Sequence, residues 1–172
     1  MEFINKLEAT VGGWLKNVPH LPPVGQKWLG QNIWWIALVG AIASGIAVFI
    51  ALTGILFGGI SASFVYVIDP ALAAWILIVS IVNLVFTAAR GLLLALAVTP
   101  LKAMQKKGWV LLFYSWLLHV LSVVVGAVLS LSAFGFIGGI LFGSIGVLIS
   151  GYFLYEIHAQ FAHVKTTKTV KN

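Results

Sequence analysis

Residues 108–155 read GWVLLFYSWLLHVLSVVVGAVLSLSAFGFIGGILFGSIGVLISGYFLY and contain no Asp, Glu, Lys or Arg. A hydrocarbon layer about 30 Å thick is crossed by roughly 20 apolar residues in a helix. The stretch is too long for one crossing and suits two, joined by a tight turn. Lys102, Lys106 and Lys107 precede it, and Lys165, Lys168 and Lys171 follow it. A helical hairpin with both feet in one basic compartment satisfies that arrangement. The fold class is therefore all-α, a membrane protein built as a bundle of transmembrane helices.

Composition agrees. Hydrophobic residues make up 61% and charged residues 8% of the chain, against roughly 45–50% and 25% in a soluble domain. A mean hydropathy of +1.09 leaves no length for a separate soluble domain. The net charge is +6. Because the basic residues flank apolar spans, the expected partner is the bilayer with its anionic headgroups, not nucleic acid. There is no cysteine, which excludes disulfides and thiolate metal sites. The first strongly apolar run begins near Ile33, too far in and too long for a secretory leader.

Working outward, four spans are expected, over about 33–57, 71–90 with an extension to 98, 109–130 and 136–155. Residues 131–135 form the short turn between the last two. Together they make a transmembrane domain over 33–158, followed by a basic tail over 159–172. In front of it, Phe3, Leu7, Val11, Trp14 and Val18 recur at spacings of three and four. That pattern predicts an amphipathic helix over 1–18 lying in the membrane interface. The run Pro19-His-Leu-Pro-Pro-Val-Gly25 breaks a helix and makes 19–32 a connector. With four spans, all ten Lys and Arg fall on one side. The positive-inside rule then places both termini and the middle loop in the cytoplasm, as in a multi-pass protein of a bacterial inner membrane.

Polar groups inside the spans are the candidates for function. Arg90 falls on the inner half of span two, where it can snorkel to the headgroups, pair with Glu156 at the end of span four, or bind an anion. His119 falls near the midplane when counted from Trp109. Ser115, His119, Ser122, Gly126 and Ser130 recur along one stripe of span three. Asn83 reaches a similar depth, so an Asn83–His119 hydrogen bond is expected; a proton relay or substrate ligand is the alternative.

Small residues supply packing faces. Gly135, Gly139 and Gly143 form GxxxGxxxG, and Gly54 with Gly58 close span one. The pentapeptide Gly-Ile-Leu-Phe-Gly occurs at 54–58 and at 139–143. Both copies lie at one membrane depth, which predicts contact between spans one and four. No phosphate loop, HExxH or nucleophile elbow is present. His158 and His163 are five apart and read as solvated tail residues. No catalytic group, cofactor or metal site is expected.

The run Lys107-Gly-Trp-Val-Leu-Leu-Phe-Tyr-Ser115, with Pro19-His-Leu-Pro22 and Trp34-Trp35-Ile-Ala-Leu38, resembles functionally uncharacterised four-helix membrane proteins of small-genome bacteria. That resemblance implies a fold and nothing about activity. The functional expectation is a non-enzymatic packing or interaction subunit, a scaffold or accessory to another membrane protein or to a second copy of itself. The alternative is a small-solute, anion or ion transporter or channel subunit. It would need Arg90, Asn83 and His119 to line one wet cavity.

Overall fold

The structure, a computed structural model, describes residues 10, 13, 18–57, 67–130 and 132–162. These form α1 (Pro23–Phe57), α2 (Pro70–Lys102), α3 (Lys106–Val128), α4 (Ala133–Glu156) and the short α5 (His158–Ala162). The first four are long and apolar enough to cross a membrane. The shortest has 23 residues, a length of roughly 35 Å. The expected interfacial helix over 1–18 and the tail beyond 162 lie almost wholly outside the described residues, as does Gly58.

Helix ends differ from expectation for local reasons. The connector over 19–32 is cut short, because α1 already begins at Pro23. Proline is tolerated in a first helical turn, where its missing N–H has no partner to lose. The Gln26 amide closes that first turn on the Pro22 carbonyl at 3.0 Å. Asp69 caps α2, its Oδ1 accepting from the Leu72 amide at 3.0 Å. From there α2 runs through Gly91 and past 98 to Lys102, with Pro100 in its last turn. Met104, at φ 52°, then turns the chain into α3. The α3–α4 turn lies at 129–132, earlier than expected, because Ser132 caps α4 and its Oγ accepts from the Gly135 amide at 3.0 Å.

The α2–α3 elbow depends on one glycine. A Cβ on Gly108 would stand 2.6 Å from the Leu101 nitrogen and 2.9 Å from the Pro100 carbonyl carbon. Both are backbone atoms of the adjoining helix, so no side chain can swing aside. Gly108→Ala is expected to destabilise the fold by about 1–3 kcal/mol, the usual penalty for overpacking. Unfolding in mixed detergent micelles measures it, and an unchanged midpoint would refute the elbow's role.

Packing follows chain order. α1 lies on α2, α2 on α3 and α3 on α4, while α5 folds back against α1, α3 and α4. Among the described residues α1 and α4 share no packed face along their spans. The expected contact of the two Gly-Ile-Leu-Phe-Gly copies is thus not made. Gly54 has open space beside it, whereas Gly139 and Gly143 face α3 at Ala127 and Val123. The short Ser130–Ser132 turn lays α4 on α3 first, and a repeated pentapeptide cannot override that connection.

The core sits at one end. Leu29, Ile33 and Ala37 of α1, Leu101 of α2, and Trp109 and Phe113 of α3 meet Leu154, Ile157 and Phe161 in one buried cluster. Toward the opposite end large side chains such as Phe49, Leu56, Phe57 and Phe142 are exposed. In water that would be untenable; against lipid tails it carries no penalty, because the tails are as apolar as the side chains.

Candidate functional site

Two polar clusters stand out, one at the end of α4 and one midway along α2 and α3. Glu156 is the last residue of α4, and its side chain is only 3% exposed. A carboxylate there opposes the negative end of the helix dipole, so donors must come from elsewhere. His20 Nδ1 lies 2.6 Å from one oxygen. The Leu21 amide at 2.9 Å and Gln26 Nε2 at 3.0 Å donate to the other. One turn back, the Tyr152 hydroxyl donates to the Pro19 carbonyl at 2.7 Å. The proline-rich segment in front of α1 is thereby fastened to the end of α4.

The second cluster pairs Arg90 with His119, Nη1 to Nδ1 at 3.3 Å, both residues half-buried. A guanidinium in a protein is always charged and only donates. The imidazole Nδ1 is therefore the acceptor, and its proton resides on Nε2. That Nε2 lies 3.5 Å from where a Cβ on Gly146 would be. Beside the pair, Gly91 admits α1 closely: a Cβ there would meet the Ser44 Cβ at 2.7 Å. Arg90 is twelve residues from Lys102 and His119 thirteen from Lys106, so both sit roughly 18–20 Å in from that end.

Arg90 thus stands level with His119, well inside α2 and away from its Lys102 end. The expected pairing of Arg90 with Glu156 does not form. Glu156 lies ten residues past Gly146, roughly 15 Å away along α4, and its oxygens are already held. The expected Asn83–His119 bond does not form either. Asn83 is exposed and returns its Nδ2 to the Val79 carbonyl at 3.0 Å. It lies two turns, roughly 10 Å, farther out than Arg90. α2 is longer than one crossing, so counting depth from Pro70 set Asn83 too deep.

Other candidates find structural places. Ser115 is buried at 3% exposure, and Ser122 donates to the His119 carbonyl at 2.8 Å. Gly126 has nothing within 4 Å of a Cβ, and Gly135 sits in the first turn of α4 beside Ser130 and Ser132. His158, expected in solvent, is half-buried with its ring edge-on to Trp109, centroids 4.6 Å apart. Among the described residues no cluster of His, Asp or Glu suits a metal ion. A groove of about 380 Å³ where α2 meets α3 includes Pro100, Gln105 and Lys107 in its lining. Neither Asn83, Arg90 nor His119 reaches it.

His20 and Gln26 as partners of Glu156 escaped the sequence, since nothing in their spacing points across the chain to it. Two indoles did the same work between helices: Trp109 Nε1 donates to the Leu154 carbonyl at 2.9 Å and Trp116 Nε1 to the Val147 carbonyl at 3.0 Å. Compared with protein families, with curated proteins and with solved structures, the chain matches none.

Proposed function

We propose that the protein is a multi-pass membrane subunit that works by helix packing against another membrane protein or a second copy of itself. Glycines left without neighbours support this reading. At Gly45, Gly54, Gly126 and Gly138 a Cβ would meet nothing within 4 Å. Exposed large apolar side chains are what lipid alone requires. Open glycines are what a second helix requires, since they let two backbones approach closely.

The orientation that goes with it puts the latched end of the bundle in the cytoplasm. Lys27, Lys102, Lys106 and Lys107 belong to that end and Asp69 to the other. A bacterial inner membrane is the corresponding location. The transporter alternative loses support, because Asn83 stands apart from the Arg90–His119 pair.

Native mass spectrometry after gentle extraction from the source membrane tests the proposal. The wild type is expected to carry a stoichiometric partner or a second copy. Gly45→Leu and Gly54→Leu should shed it, while the lipid-facing Phe142→Leu should keep it. A lone monomer in the wild type, or equal retention in all three variants, would sink the idea.

A further inference from the structure

The Arg90–His119 pair presents hydrogen-bond donors and no acceptor. Arg90 keeps a fixed positive charge with four of its five N–H groups uncommitted to His119. The imidazole, accepting at Nδ1, offers Nε2–H on its other side. Among the described residues no carboxylate comes near: Asp69 caps the outer end of α2 and Glu156 is held by His20, Leu21 and Gln26. A charged side chain deep within a span normally faces a partner of opposite charge or a polar cavity. Here the described residues supply a neutral base.

The flank of the pair is open. Gly146, beside Nε2, is itself exposed. Gly45 follows the Ser44 that meets Gly91, and it too has open space. These glycines belong to α1 and α4, the two helices that share no packed face. Arg90 adjoins Gly91, which faces Ser44 of α1, and His119 Nε2 lies beside Gly146 of α4, so the pair is flanked by both helices.

We propose that Arg90 and His119 form a binding site for one small monovalent anion, a halide or a carboxylate, reached between α1 and α4. Valence follows from charge: one guanidinium with a neutral imidazole is balanced by a single negative charge, and a divalent anion would leave an excess in a low-dielectric setting. Guanidinium N–H groups hold the anion, and Nε2–H of His119 donates to it from the α4 side. The site goes beyond the packing role and stands independently of it, because the isolated chain suffices to test it.

The test uses the full chain in nanodiscs of zwitterionic lipid, with ¹⁵N-labelled histidine and the divalent anion sulfate as background salt. Chloride and formate are titrated separately, and the His119 Nε2–H resonance, identified as the one missing in His119→Gln, is followed. A saturable shift with either anion is expected. Arg90→Gln should weaken it about tenfold or more, the loss of a charge-assisted contact. Gly146→Val keeps both donors and fills the space before Nε2, so it should also abolish the shift, and it serves if Arg90→Gln fails to fold. Saturation by chloride identifies an inorganic anion site, and saturation by formate alone identifies a carboxylate site. A response that is linear, absent, or equal in wild type and both variants overturns the proposal.

Discussion

Trp109→Ala is expected to destabilise the protein by about 3–5 kcal/mol, the range for removing a fully buried aromatic. Trp109 has no exposed surface. Its ring stacks on Phe113 at 5.4 Å and meets Tyr155 and His158 edge-on. Its indole N–H reaches the Leu154 carbonyl. It thus joins α3 to α4 and α5 at the end where, among the described residues, the helices close a core. Trp35→Ala is the control: that ring is 53% exposed and should change stability by less than about 1 kcal/mol. Both are read from unfolding midpoints in mixed micelles. Equal shifts in the two variants would mean that burial at this end does not dominate stability.

The next largest effect belongs to Glu156→Gln. The substitution preserves volume and replaces one acceptor oxygen by a donor NH₂, which must then face one of the groups that now donate to Glu156. A hydrogen bond to a charged group contributes about 1.5–3 kcal/mol, and leaving a donor unmatched adds a desolvation penalty. A loss of about 2–4 kcal/mol is expected. His20→Ala should cost under about 1 kcal/mol, since the His20 side chain is 57% exposed and solvent replaces its contribution. Limited proteolysis gives an independent reading: residues 19–22 should become cleavable in Glu156→Gln and stay protected in His20→Ala. Protection unchanged in Glu156→Gln would show that Tyr152 alone holds the segment.

How much of this was legible depends on the range of the interaction. The four long helices follow from uncharged length, a property of contiguous residues, so the stretch from Gly108 to Tyr155 could be divided without knowing any contact. Their ends were read less well where two local rules compete, as at Pro23, which serves equally as a breaker and as a first-turn residue. The candidate site fared unevenly because depth had to be counted from assumed membrane borders. His119 was counted from Trp109, close to a true helix start. Asn83 was counted from Pro70, on a helix longer than one crossing. For Arg90, charge left three places open: the headgroups, Glu156 or an anion. Nothing in the sequence ranks a remote histidine, an amide and a glutamine above a nearby arginine, since that choice is made by how α5 and the residues before α1 fold over the end of the bundle.

The fastening of Glu156 to His20 also has a consequence in time. Its two residues stand 136 positions apart. At a synthesis rate of about 5–20 residues per second, the second emerges roughly 7–27 s after the first. Until then His20 and Leu21 lack the Glu156 carboxylate, whatever the earlier helices have done. The bond therefore reports on the fourth helix: it forms only on a chain in which that helix has been made and correctly threaded, and a fragment lacking it would keep residues 19–22 loose and open to proteases.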